Sequence, residues 1–295
     1  MLMPPLLVCG NVNLESVFCL EGELLPPQGG FFPHSMTLNV SGVGANLALA
    51  LKNLGSPVRL LTFGADDLCG KVVRAALEGI EVCFSPSSAT PQSLALVRSN
   101  GSRTFYRDLK DTMGTAAPTT DFLNLITGCA AVLMTNINWT RPLLPLALEV
   151  GLPILTDVQD LRDLHNPYDQ DYFRAADLLF LSAEHLEDPA TVMESVLERF
   201  PARLVVAGWG QRGALLLERG GELYHQPAFP VGVLSTGGAG DTLAASFAHF
   251  YFSRGKSAPQ SLRLACAAAA LKVRAIGSGQ GHPDEAAVLR FVNSQ

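Results

Sequence analysis

Short apolar runs alternating with amphipathic or alanine-rich stretches constrain this chain most. Leu6 to Cys9, Val58 to Phe63, Ala130 to Met134, Ile154 to Asp157, Leu178 to Leu181 and Leu204 to Ala207 read as strands, with helical runs such as Val72 to Leu77 and Leu143 to Val150 between them. That order predicts a parallel sheet with crossover helices. With 295 residues, 48% of them hydrophobic, the chain can bury a large core. Glycine and proline are spread between segments, so one main domain over residues 1–295 is expected. Two stretches break the alternation, roughly Phe18 to Val40 and Ser93 to Lys110. In the second, Asn100-Gly101 separates two extended runs, which is a hairpin signal.

The segment Leu234-Ser235-Thr236-Gly237-Gly238-Ala239-Gly240-Asp241-Thr242 sets an acidic side chain behind a run of minimal residues. Phe229 to Leu234 ahead of it reads as a strand end and Thr242 to Phe252 behind it as a helix, so the small residues fall at a helix N-terminus. First-turn N–H groups there lack intrahelical partners and the helix dipole is positive, which suits a phosphate. Asp241 on its own is equally well read as a helix cap. Phosphoryl transfer to an alcohol, however, needs both a base for the hydroxyl proton and donors for the moving charge. This segment supplies both.

Ser41-Gly42-Val43-Gly44-Ala45-Asn46 precedes an Ala/Leu-rich run that ends at Gly55 with Pro57 beyond, which predicts strand, glycine turn and helix. The glycines have a purely backbone reading as well. Leu6 to Cys9 runs into Gly10-Asn11-Val12-Asn13-Leu14-Glu15, so polar side chains emerge at a strand's carboxyl end, where open α/β sheets place ligands. Glu15 suits a polyol because a carboxylate accepts two charge-assisted hydrogen bonds.

Together these stretches resemble the signatures of the ribokinase-like, or phosphofructokinase B, family. The resemblance implies a three-layer α/β/α fold with a mostly parallel central sheet and a small β-sheet lid, formed from about 16–40 and 93–110. It implies Asp241 as catalytic base, with the backbone of Gly238, Ala239 and Gly240 as the anion hole. Asn13, Glu15, Gly42, Gly44 and Asn46 would hold substrate, with Glu15 in place of the usual Asp. Arg107 at a lid strand end and Asn138 after the strand to Asn136 are further substrate candidates. On the nucleotide side, Gly208, Gly210 and Gly213 resemble a T-L-G-x-x-G-A segment with Gly for Thr. Thr236 belongs to the carboxyl-terminal signature, and Cys266 and Ala269 lie in an alanine-rich helix like the one beside adenine. Ser182-Ala183-Glu184-His185 stands where relatives carry N-x-x-E, so Ser182 is placed by the nucleotide and Glu184 by Mg²⁺, through ordered water. Asp157-Val158-Gln159 resembles a D-x-N segment. Ser235 replaces an Asp that lies near a monovalent-cation site in relatives, which leaves a potassium requirement open.

The resemblance thus implies an ATP- and Mg²⁺-dependent kinase acting on a hydroxyl of a sugar or sugar-like molecule. A nucleoside kinase on the same fold and a non-catalytic sugar- or nucleotide-binding relative are the alternatives. The lid offers a route to a homodimer. The net charge of −6 with scattered Lys and Arg argues against nucleic acid. The six cysteines show no C-x-x-C pairing and the six histidines no H-E-x-x-H spacing, and no apolar run reaches the roughly 20 residues a membrane span needs. A soluble, cytoplasmic protein with reduced, mostly buried thiols is expected.

Overall fold

The computed structural model describes residues 3–20, 22, 29–99 and 103–295. The chain opens with β1 (Leu6–Cys9), β2 (Asn13–Leu20) and β3 (Met36–Ser41), then α1 (Val43–Asn53), β4 (Val58–Gly64), α2 (Leu68–Ala76) and β5 (Glu81–Pro86). The strands β6 (Gln92–Arg98) and β7 (Arg103–Asp108) precede α3 (Thr119–Ile126), β8 (Ala131–Thr135), α4 (Leu144–Val150) and β9 (Ile154–Asp160). There follow α5 (Gln170–Ala175), β10 (Leu178–Ser182), α6 (Pro189–Arg199), β11 (Leu204–Gly208), β12 (Ala214–Glu218) and β13 (Tyr224–Gln226). The chain closes with α7 (Ala239–Ala248), which runs into a π turn at His249–Ser253, then α8 (Ala258–Lys272) and α9 (Glu285–Asn293).

Nine strands form the main sheet in the order β13-β12-β11-β10-β9-β8-β1-β4-β5. Pairing is parallel from β5 to β11, and only β12 runs in the opposite direction, antiparallel to both β11 and the edge strand β13. Alternate residues of each strand point to opposite faces, so one β1 strand feeds two cores. Leu7 and Cys9 pack with Phe122 of α3, Phe173 of α5 and Met193 of α6. Leu6 and Val8 pack with Leu47 of α1, Phe247 of α7 and Ala265 of α8. Strands buried on both faces explain the unbroken apolar runs in the sequence. The three-layer α/β/α arrangement expected from the sequence is therefore the one observed.

The second sheet, ordered β3-β2-β6-β7, is the lid. Strand β2 pairs parallel with β6, while the β2–β3 and β6–β7 pairs are antiparallel. The expected Asn100-Gly101 turn lies outside the described residues, but Val97 faces Arg103 as a hairpin requires. The lid begins earlier than the expected residue 16. Asn13 and Glu15 are part of β2, in register with Ser41 and Asn39, because pairing with β3 captures the chain after only three intervening residues beyond β1.

One expected strand is absent. Phe229 to Leu234 joins neither sheet; β13 is the edge, Pro227 and Pro230 bring no N–H to a ladder, and Val233 and Leu234 are exposed. The segment is anchored instead by the Leu234 and Ser235 N–H groups, which both donate to the Val273 carbonyl. The helix behind it starts at Ala239, three residues earlier than expected, because Gly238 adopts φ 73° and turns the chain directly into the first turn.

Candidate active site

Two helix starts meet at the carboxyl ends of the central strands. Gly42 (φ 97°) leads into α1 and Gly238 leads into α7, and the two helices pack together. At that junction Asn46 Nδ2 donates to Asp241 Oδ2 at 2.6 Å. Neither glycine of the first turn can be replaced in place. A Cβ on Gly44 would lie 2.5 Å from the Gly10 carbonyl carbon and oxygen, and one on Gly42 would lie 2.5 Å from Asn11 O. These close approaches bring α1 against the end of β1 and so set where Asn46 points.

Asp241 keeps some solvent contact yet is packed round by protein. That desolvation lifts its carboxyl from the ordinary 3.8 to about 7, against the Asn46 hydrogen bond, with Asp157 adding and Lys272 opposing. Val43, Leu47, Thr135, Asp157, Asp241 and Ala244 line a small pocket there. Asp157 is itself pushed up by burial, offset in part by a hydrogen bond from the Gln159 N–H. Next to Asp241, the N–H groups of Gly238 and Gly240 meet no acceptor among the described residues, whereas Ala239 N–H turns back to Thr236 O at 3.3 Å. Donors at a helix N-terminus beside a carboxylate of raised pKa can stabilise an anion and accept a proton at one place.

On the lid side, Glu15 is buried and tied into a polar chain. Ser278 Oγ donates to Glu15 Oε1 at 2.9 Å and sits 2.6 Å from Ser41 Oγ. Asn13 Nδ2 donates to Ser93 Oγ at 2.7 Å. Ser41 opens the glycine-turn motif and Ile276-Gly277-Ser278 continues the family resemblance. The sequence does not, however, single out Ser41, Ser93 or Ser278 as site residues, since serines are common in loops and strand ends. Arg107 is exposed, with its guanidinium 5.1 Å from the Phe105 ring centre, and Asn138 is exposed and donates to Met113 O at 3.2 Å. Arg107 stands directly across the β6–β7 pair from Ser93, next to the Glu15 cluster without a hydrogen bond to it, whereas Asn138 lies apart. The lid arginine that does reach the helix turn is Arg103, which donates to Thr236 Oγ1.

The nucleotide candidates fall into two groups. Ser182 pairs with Gly208 across β10 and β11, Ala183 N–H donates to Gly208 O at 2.7 Å, and a Cβ on Gly210 would lie 3.8 Å from Glu184 Oε1. Ser182, Glu184, Gly208 and Gly210 are therefore neighbours. Gly213 (φ 98°) seals that turn, since a Cβ there would meet Gln226 O at 2.0 Å. Cys266 and Ala269 lie on α8, where burial pushes the Cys266 thiol up to about 12 and leaves it a packing group. Among the described residues no three His, Cys, Asp or Glu side chains form a metal cluster. Mg²⁺ nevertheless fits carboxylates such as Glu184, because it retains most of its water and needs few protein ligands.

Two further observations bear on the wider expectations. All six cysteines are free, but only Cys9, Cys129 and Cys266 are buried and Cys19 is exposed. Among the described residues no helix is long and apolar enough to cross a membrane.

Residues 154–285 match the model of the pfkB family of carbohydrate kinases. Over 300 residues the chain is 28% identical to the acarbose 7(IV)-phosphotransferase of an Actinoplanes species, covering 96% of this chain and 97% of that one. It is 26% identical to the ribokinase of Arabidopsis thaliana, covering 98% and 81%. Among solved structures, a microbiome-derived acarbose kinase superposes with a TM-score of 0.90 at 24% identity, covering 99% of this chain and 100% of the other. Arabidopsis thaliana ribokinase complexed with ribose and ATP superposes at 0.83 with 22% identity, covering 99% of each. The chain thus has the ribokinase-like fold, and its residues 154–285 are similar to the pfkB family of carbohydrate kinases.

Proposed function

We propose that this protein transfers the γ-phosphoryl group of ATP to a hydroxyl of a sugar or sugar-like molecule, with Asp241 as the base. The observation that carries the reading is the Asn46–Asp241 junction, where a carboxylate of pKa about 7 sits in the first turn of α7 behind the Gly238 and Gly240 N–H groups. A base is most effective when its pKa lies near the working pH, and a preorganised ring of N–H donors stabilises charge that appears on the transferred group. Asn13, Glu15 and Asn46, with the main chain at Gly42 and Gly44, hold the acceptor's hydroxyls under the lid. Arg107 and Asn138 contribute only at its margin.

ATP lies along Ser182, Gly208, Gly210, Gly213 and Thr236, with its base beside Cys266 and Ala269. Glu184 is the carboxylate that would hold Mg²⁺ through its water shell, and the ion would supply charge neutralisation at the phosphates. The lid's role is to exclude water once the acceptor is bound, which suppresses hydrolysis of ATP.

The buried, polar character of the Glu15 cluster favours a polyol over a nucleoside, whose base calls for apolar or aromatic surface. Acarbose and ribose, named for the relatives above, are the first acceptors to try. ADP release from Mg·ATP would be followed with these, with pooled pentoses, hexoses and acidic sugars, and with nucleosides. Release with a sugar pool supports the proposal, release only with nucleosides moves the protein to the alternative activity, and ATP binding without any turnover favours a non-catalytic role.

A further inference from the structure

The last residue of α8 is a lysine with no solvent exposure at all, 0% for Lys272. Lysine is almost never fully buried unless its charge is used, because an uncompensated ammonium is costly to remove from water. Burial pulls this one down to about 8, with Asp241 drawing it back up, the nearby Arg103 cation pressing it down and Glu15 raising it. Its hydrogen bond, at 2.7 Å, goes to the carbonyl of Gly277. A helix C-terminus welcomes a cation, but an exposed lysine would serve that purpose without the cost of burial.

What Lys272 holds explains the expense. The segment 277–279 touches the base of the lid on one side and the turn into α7 on the other. A Cβ on Gly277 (φ 89°) would lie 3.0 Å from Asn39 Oδ1 of β3, one on Gly279 would lie 1.8 Å from Val40 O, and Ser278 Oγ donates to Glu15. On the other side, a Cβ on Gly238 would come within 2.3 Å of Ser278 O and 3.4 Å of Lys272 Cε. The ammonium therefore lies where the lid base, the 277–279 segment and the turn into α7 meet. A monovalent metal ion does not fit beside it. Ser235 brings no charge, its Oγ accepts from Gly237 N–H at 3.3 Å, and Lys272 already supplies a positive charge to the Gly277 carbonyl.

We propose that Lys272 is a positioning residue that works as a tethered cation, fixing the 277–279 segment against the Gly238 turn so that the anion-binding end of α7 is assembled without a monovalent ion. The kinetic half of this inference rests on the phosphotransferase reading; the binding half does not.

The test compares wild type, Lys272→Met and Lys272→Ala in KCl, NaCl and choline chloride at equal ionic strength, by thermal unfolding and by steady-state kinetics. Wild type should show the same unfolding midpoint and the same kcat in all three salts. Lys272→Met fills the space without the charge, so it should fold with an undiminished midpoint yet lose at least ~10-fold in kcat while KM for ATP changes by less than ~3-fold. Lys272→Ala opens a space of cation size, and its midpoint should rise in KCl relative to choline chloride. A wild type that unfolds later or turns over faster in KCl would overturn the proposal, as would a Lys272→Met enzyme with wild-type kcat. Should no acceptor be turned over at all, the salt dependence of the Lys272→Ala midpoint still decides it: a rise in KCl supports the tethered cation, and identical midpoints refute it.

Discussion

Asn46 and Asp241 are 195 positions apart in the chain and share a 2.6 Å hydrogen bond. The bond joins the first turns of two helices, and it is the strongest opposing influence on the raised pKa of Asp241. Asn46 Oδ1 is buried without a partner among the described residues, which leaves one polar atom at the junction unused. Truncation to Asn46→Ala should let the Asp241 pKa climb further. The acid limb of the kcat/KM profile should then move to higher pH, with activity falling by roughly 10-fold or more at pH 6.5 and less at pH 8.5, since losing a hydrogen bond to a charged group costs ~1.5–3 kcal/mol. A parallel loss at all pH values would show that Asn46 does not tune Asp241.

The same raised pKa makes Asp241 a burden on stability. Its folded pKa of about 7 exceeds the ordinary 3.8, so the folded state binds the proton more tightly than the unfolded chain does. The penalty is absent below about pH 4, grows between the two values and is complete above pH 7. At 1.36 kcal/mol per pH unit the rise corresponds to ~4 kcal/mol, and the solvent contact of the side chain reduces this to roughly 2 kcal/mol. Asp241→Asn should therefore stabilise the protein at pH 8 and leave it unchanged near pH 4, as read by urea unfolding. An equal effect at both pH values would contradict the assignment.

Sequence periodicity made both glycine turns and the parallel strands legible except β5, whose mostly half-exposed residues give no apolar run, because these are local signals: two-sided burial gives apolar runs, and helix starts carry small or capping residues. The edge pair β12–β13 and the unstructured path of 229–234 were not legible, since an apolar run reports burial but not which strand it pairs with. Asn13 and Glu15 were found as polar residues after β1, though their membership of the lid strand depends on pairing with β3. Arg103 and Lys272 escaped notice for a related reason. Arg103 meets Thr236 across 133 positions, and a single lysine after an alanine run looks like any helix end until its burial is seen.

Arg103 rather than Arg107 is expected to couple the lid to the anion-binding turn. Arg103→Ala should raise the acceptor KM about 3- to 10-fold, equivalent to the loss of one partly exposed hydrogen bond, whereas Arg107→Ala should change it by less than about 2-fold. The opposite ranking in a side-by-side titration would return the role to Arg107.

Gly44 tests the scaffold under the site. A methyl group there would overlap the Gly10 carbonyl, 2.5 Å away, and no flexible side chain can yield to it. Gly44→Ala should lower stability by roughly 2–4 kcal/mol and reduce kcat as α1 and Asn46 shift. Wild-type stability in a denaturant titration would mean that β1 and α1 are less tightly apposed than described.

The central claim is that Asp241 takes the proton from the acceptor. Its most direct test is ADP release by wild type beside Asp241→Asn, with acceptor binding followed by calorimetry. The substitution should cut kcat by ~10²–10⁴-fold while the acceptor still binds within a few-fold of its wild-type affinity. An Asp241→Asn enzyme that keeps its turnover would contradict the account.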